Sequence, residues 1–302
     1  MTRRIPIRDT PRDATDGATA LDLDDPFVDA TALVGEGSDD DRERADADDP
    51  AEQLVGRVLA GRYRVTKVLG RGGIGVVLEG VHLELDKRVA IKVLQGGYAR
   101  DAEALERFER EARTAAKIGH PNIVAVLDLG RLETGEPFFV MEHLEGHDLE
   151  EDVTKTGDRV ALPVERTLAL LDAVAAALDA LHREGIVHRD VKPANVFLAR
   201  TSRNEERIKL VDFGLATLAD AERKGKRLTR EGFIVGTAEY IAPECARGAL
   251  GGPSADVYSL GVMAFELLSG ALPFFGAPME VVLAQVGSIA PPLSSLTRRR
   301  YP

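Results

Sequence analysis

The chain contains no tryptophan, and only 5% of its 302 residues are aromatic. A folded core must therefore rest on Leu, Val, Ile and Ala rather than on large rings. Cysteine occurs once, at Cys245, which excludes an intrachain disulfide and suits a reducing, cytoplasmic compartment. No apolar run approaches the roughly 18 to 20 residues of a membrane-spanning helix. The opening MTRRIPIRDTPRD carries positive charge but lacks the apolar stretch of a secretory signal. The formal net charge is −11, and nothing in the chain resembles a basic footprint, so no nucleic-acid partner is expected.

That charge is unevenly placed. Residues 1–56 hold 16 Asp and Glu against 6 Arg and no Lys, a balance of −10, which leaves about −1 for the remainder. The acidity belongs to a tail and says little about the partners of the folded body. Residues 1–55, which include GEGSDDDRERADADDP (35–50), have no apolar periodicity and read as a disordered segment that cannot bury enough surface to offset its ordering entropy. Within it DPFVDATALVGEG (25–37) is an apolar island. Chance composition accounts for it; the sharper reading is a docking peptide, with Thr31 as a phosphorylated residue for a phosphopeptide-binding partner.

From Tyr63 the pattern changes. YRVTKVLG, VVLEGVHLEL and KRVAIKVL read as strands, as do IVAVLDLGRL and PFFVMEHL. Between them DAEALERFEREARTAAKIG has helical spacing, with Leu105, Phe108, Ala112, Ala115 and Ala116 on one side. After residue 148 helices take over. LPVERTLALLDAVAAALDALHREG starts near Pro163 and stops at Gly185, with Leu168, Leu171, Ala175, Leu178 and Leu181 as its expected buried stripe. SADVYSLGVMAFELLSG is apolar nearly all round, suits a helix at the centre of a lobe, and has Gly270 as its stop. The expectation is an α+β chain with a small strand-rich half before a larger helical half.

Several short stretches carry chemistry. GRGGIGVV (70–77) lets the backbone approach a phosphate through Gly70, Gly72 and Gly75. A strand rather than a helix follows it, which favours a glycine-rich hairpin over a dinucleotide-binding turn. Lys92 in the apolar VAIK needs a partner, either a phosphate or a carboxylate such as Glu111, unless it reaches solvent. In GIVHRDVKPAN, Asp190 fits a base that accepts a hydroxyl proton, Lys192 a cation beside a transferring phosphoryl group, and Asn195 an amide oxygen for a metal. In VDFGLA, Asp212 adds a carboxylate suited to Mg2+, which prefers oxygen ligands.

GRGGIGVV, VAIK, Glu111, HRDVKPAN, DFG, GTAEYIAPE and DVYSLG stand in the order and approximate spacing of the protein kinase family, and the chain resembles a bacterial Hanks-type serine/threonine protein kinase from about residue 60 onward. The resemblance implies a bilobal fold, with an N-lobe at about 60–143 and a C-lobe at about 144–302 inside a domain spanning 56–302. It implies ATP and Mg2+ as cofactors and protein Ser/Thr hydroxyls as substrates. Gly70, Gly72 and Gly75 would cover the phosphates, and Lys92, held by Glu111, would contact the α- and β-phosphates. Asp190 would be the base, Lys192 the γ-phosphate contact, and Asn195 and Asp212 the metal ligands. Leu69, Val77, Ala90, Met141 and Phe197 would line the adenine slot, with backbone bonds from Glu142 and Leu144 and a ribose contact from Asp148. Thr237 would bridge to Asp190 and Lys192, and Lys192 with Thr237 marks Ser/Thr rather than Tyr specificity. His188 would pack with Phe213, Ala115 and Val126 in the column joining the lobes. Arg189 would receive a phosphate on Thr229, the expected autophosphorylation site, together with RKGKR (223–227).

Two departures stand out. Ile74 occupies a loop-tip position that is often aromatic or Met in the family. The family domain also continues through further helices, which leaves Glu244 without its expected Arg and makes the chain read as truncated. The alternatives are a non-catalytic pseudokinase scaffold and a small-molecule kinase. Lys92, Asp190, Asn195 and Asp212 argue against the first, and APE with Lys192 against the second.

Overall fold

The computed structural model describes residues 50–72, 75–95, 102–155, 157–201, 203–212 and 238–296. The expectations for the tail through residue 49, for Ile74 and for Phe213, Thr229 and Thr237 fall outside them.

Six strands form one antiparallel sheet: β1 (Val58–Leu59), β2 (Tyr63–Gly72), β3 (Gly75–His82), β4 (Lys87–Leu94), β5 (Val126–Arg131) and β6 (Pro137–Glu142), in the order β1-β2-β3-β4-β6-β5. The two-residue strand period divides their side chains between two cores. Val89, Ile91 and Val93 of β4 join Phe138 and Val140 of β6 on the outer face. Ala90 and Leu94, with Phe139 and Met141, face inward and join the larger core. Both faces are covered, which explains why KRVAIKVL and PFFVME read as near-continuous apolar runs.

Helix α1 (Ala102–Ala115) lays Phe108, Ala112 and Ala115 against the inner face, with the Phe108 ring 5.3 Å from that of Phe139. Ala116, expected on the same stripe, is exposed because the helix ends at Ala115 and the chain turns.

The second half contains β7 (Gly146–Asp148), α2 (Leu149–Val153), β8 (Thr154–Lys155), β9 (Asp158–Arg159), α3 (Val164–Arg183), β10 (Val196–Arg200) and β11 (Glu206–Leu210). After these come α4 (Pro243–Ala246), α5 (Pro253–Ser269), α6 (Pro278–Gly287) and α7 (Leu293–Leu296). In α3 the buried face is Thr167, Leu170, Val174, Ala177, Leu178 and Leu181, while Leu168 and Ala175 are exposed. The expected stripe was off by part of a turn. LALLDAVAAALDAL is apolar on most sides, so spacing alone does not select a face, and buried Thr167 is accommodated by donating its hydroxyl to Pro163 O at 3.1 Å. Helix α5 follows expectation. Gly270 ends it in the left-handed region at φ 71°, and a Cβ there would lie 2.7 Å from Ala161 N. The architecture is an α+β fold in two lobes, a sheet with one helix followed by a helical lobe.

The packed region starts earlier than residue 56. Ala51 and Leu54 are already buried in the outer face of the sheet.

Candidate active site

Strand β4 places Lys92 on the inner face beside Ala90, opposite Val77 of β3 and Phe139 of β6. The residue is 6% exposed, and its ammonium donates to Asp212 Oδ1 at 2.6 Å. The side chain of Glu111, the expected partner, is not among those described; among the described side chains Lys92 meets Asp212. Asp212 has φ 60°, a conformation that disfavours a side chain by about 1–3 kcal/mol and is sustained only by its surroundings. Burial works to raise its carboxyl, but the charge and hydrogen bond of Lys92, with the charge of Lys192, outweigh it and hold the group below the usual carboxylate range.

Facing this pair is the loop after α3. Asp190 Oδ2 receives Lys192 Nζ at 2.9 Å and Asn195 Nδ2 at 2.8 Å, and Asn195 Nδ2 also reaches Asp190 O at 2.6 Å. Both neighbours of that nitrogen are acceptors, so the amide orientation is determined and Oδ1 is the atom left to meet a cation. Beneath the loop, His188 is wholly buried. Its Nε2 lies 3.0 Å from Val211 O, and Asp190 N donates to its Nδ1 at 3.3 Å. Only the neutral Nε2–H tautomer satisfies both contacts. Burial agrees, pushing its pKa down against the pull of Asp256, Asp190, the Val211 carbonyl and Asp212.

The loop is held from α5. Asp256, fully buried, accepts from His188 N at 2.8 Å and Arg189 N at 2.7 Å and sits 2.7 Å from His182 Nε2. These bonds support Arg189 at φ 64°. Asp256 was visible in the sequence only as the first letter of DVYSLG, and nothing there marked it as the anchor.

The apolar slot is partly assembled. Ala90 and Met141 are buried register partners, and Val77 and Leu144 pack against the same core. Phe197 is half-buried opposite Asp148. Leu69 lies at an irregularity between Val68 and Gly70 and is 44% exposed. Asp148 caps α2, accepting from Glu151 N at 3.2 Å. Glu142 gives its N–H to Ala125 O at 3.0 Å, while its carboxylate takes Ala125 N at 2.9 Å and Lys209 Nζ at 2.5 Å. Lys209 is almost fully buried and also donates to Ile123 O at 3.1 Å. Reasoning from sequence missed it, although a Lys inside the apolar IKLV raised the same question as Lys92. Behind the slot His143 Nε2 meets Glu79 Oε2 at 3.1 Å. Burial opposes ionisation of Glu79, but Thr66, Lys67 and His143 overcome it and lower its pKa.

The glycines differ in their reasons. A Cβ on Gly75 would lie 2.1 Å from Val93 O, so β4 forbids a side chain there. A Cβ on Gly70 would meet nothing within 4 Å. Packing does not require that glycine. With the open Gly70, the oriented Asn195 oxygen and the ionised Asp212, the residues fit a nucleotide with Mg2+. Glu244 accepts a hydrogen bond from Ser254 Oγ at 3.3 Å.

The protein kinase domain family matches residues 63–290. The chain is 40% identical over 244 residues to the serine/threonine-protein kinase PknA of Mycobacterium tuberculosis, covering 79% of this chain and 54% of PknA. It is 38% identical over 223 residues to PrkC of Bacillus subtilis, covering 74% of this chain and 33% of PrkC. It thus spans about half the length of one relative and a third of the other. Among solved structures it resembles the M. tuberculosis PknI kinase domain, with a TM-score of 0.59, 33% identity, and coverage of 80% of this chain and 84% of that one. By the match over 63–290 and this likeness the chain belongs to the protein kinase family.

Proposed function

We propose that this chain transfers the γ-phosphoryl group of ATP to Ser and Thr hydroxyls of protein substrates. The observation that carries the reading is Asp190, with Lys192 and Asn195 bonded to it, facing the Lys92–Asp212 pair. Lys92 and the backbone at Gly70, Gly72 and Gly75 bind phosphate oxygens. Asp190 orients the substrate hydroxyl and accepts its proton as the oxygen bonds to phosphorus and the bond to the ADP oxygen breaks. Lys192 balances the charge on the moving phosphoryl oxygens. Mg2+, held by Asn195 and Asp212, supplies further neutralisation of the phosphates when bound. Most of the catalysis is positioning and preorganised charge. Since the Glu142 N–H is committed to Ala125, its contact with adenine falls to its carbonyl, alongside Leu144. Val77, Ala90, Met141, Leu69 and Phe197 enclose the base, and Asp148 meets the ribose with the oxygen not used in capping.

The proposal extends to Glu111 as the carboxylate partner of Lys92, Thr237 as the bridge to the loop, Thr229 as the autophosphorylated residue, and a phosphopeptide-binding partner for the acidic N-terminal tail. It places the catalytic domain in the cytoplasm, where ATP is available. Among the described residues no helix is long and apolar enough to cross a membrane.

Radiolabelled ATP supplied with a generic basic protein tests the reading. Label should enter the substrate and the chain itself, and Asp190→Asn should abolish both while ATP binding persists. Equal incorporation by the variant overturns the proposal.

A further inference from the structure

The glycine-rich hairpin has a back as well as a front. Register pairs Gly70 with Val77 and Arg71 with Val76. Val77 packs with the inner core and Val76 with the outer one, so Gly70 faces the cleft and Arg71 faces away from it. Behind the sheet lies a segment that precedes the family match beginning at residue 63. Its Ala51, Leu54 and Leu59 are buried in the outer core with Val76 and Leu78 of the hairpin. Its backbone is tied to β2, with Gly56 N donating to Val65 O at 3.0 Å and Val65 N to Arg57 O at 2.9 Å. The 3-10 turn Glu52–Leu54 then brings the Glu52 carboxylate 2.8 Å from the Arg71 guanidinium.

We propose that the flank Ala51–Leu59 is a rear brace for the glycine-rich hairpin, and that Glu52, through Arg71, is a positioning residue for ATP. The inference rests on the kinase reading above. A hairpin that covers phosphates with glycines loses conformational freedom each time it closes. A brace on its far face removes part of that freedom beforehand, so nucleotide binds to a hairpin already close to its bound form. Apolar burial of Ala51 and Leu54 fixes the flank, and the ion pair extends that hold to within one residue of Gly70 and Gly72. Glu52 is 39% and Arg71 50% exposed, so the pair is a modulator, of about 1.5- to fivefold, and screenable by salt.

The test uses the full chain as wild type, Glu52→Gln, Arg71→Gln and the exchanged pair Glu52→Arg with Arg71→Glu. Three quantities are read at low salt: KM and kcat for ATP, Mg–ATP binding by calorimetry, and amide hydrogen exchange across residues 70–78 without nucleotide. Each single variant should raise KM and Kd about 1.5- to fivefold, leave kcat unchanged, lower Tm by no more than about 4 °C, and speed exchange in the hairpin. The exchanged pair should recover most of the loss, and about 0.5 M salt should erase the differences. Unchanged KM and exchange in Glu52→Gln, or an exchanged pair no better than the worse single variant, overturns the inference. A wild type that neither binds nor transfers phosphate would instead sink the kinase reading, and the exchange measurement still decides the brace.

Discussion

Helix α5 buries a carboxylate near each end, and the two are neutralised in opposite ways. Asp256, in the first turn, sits where the helix dipole is positive and takes two backbone N–H groups and His182. No full positive charge is required there. Glu266, equally buried, lies in the last turn, where the dipole opposes an anion. It is paired with the Arg159 guanidinium from β9 and the Tyr240 hydroxyl. One end fixes backbone, the loop that carries Asp190. The other gathers side chains that can rearrange, at the chain leading into α4. Catalytic geometry depends on the rigid end, and the Glu266 end contributes mainly to stability.

Removing Asp256 should therefore have the largest effect. Asp256→Ala strands the amides of His188 and Arg189, at about 1–3 kcal/mol each, and frees Arg189 to leave φ 64°. Phosphoryl transfer should fall at least about a hundredfold as Asp190 loses its placement. Urea unfolding and kcat check the two effects, and a stable Asp256→Ala protein with near-normal kcat would remove the distinction between the ends.

At the other end the two partners should not be equivalent. Arg159→Met leaves a buried carboxylate with a phenol for company and should cost up to about 3–5 kcal/mol. Glu266→Gln leaves a guanidinium that already reaches water through its 27% exposed side chain, at a cost of about 1–2 kcal/mol. Both should retain transfer within about tenfold, which is the contrast with Asp256. A reversed order of stabilities would mean that the guanidinium is the stranded charge.

Much of this was legible beforehand. Period-two and helical patterns located the sheet and α5, and GIVHRDVKPAN located Asp190, Lys192 and Asn195 before any geometry. Lys92 was identified as needing a partner, but its described partner is Asp212, a pairing across 120 positions of sequence that no local pattern encodes. Long separations in sequence likewise hid Lys209 with Glu142 and Arg159 with Glu266. The buried face of α3 was misread because an Ala/Leu helix offers more than one plausible stripe. The brace at Glu52 was hidden for a different reason: its residues continue the composition of an acidic tail, and only burial of Ala51 and Leu54 separates them from it.

Acid should weaken the Asp256 end first. Burial holds the His188 imidazole neutral below the pH at which a free one is protonated. With the folded pKa lowered, its contribution is complete above the unfolded value and drains away as pH falls past about 6.5, by up to about 1.4 kcal/mol at pH 5.5. Asp212, also lowered, acts in a more acidic window, below the ordinary carboxylate range. Urea midpoints from pH 7.5 to 5.5 should slope downward in the wild type and flatten in His188→Leu, whose baseline stability is lower.

Base should reach the Glu266 end instead, with the smallest effect. Burial raises the Tyr240 phenol, Glu150 and Glu239 add to it, and Arg159 only partly offsets them. A raised folded pKa means stability that is complete below the unfolded value near 10 and declines above it, by about 0.7 kcal/mol between pH 9.5 and 10.5. Tyr63, raised to about 12 by burial and its bond to Asp128, adds a similar slope from the sheet lobe. Tyr240→Phe and Tyr63→Phe should each remove one such increment, and the double variant both, because the two sites share no partner. If Tyr240→Phe leaves the alkaline slope untouched, the phenol is exchanging with water, and the Glu266 end is looser than its burial implies.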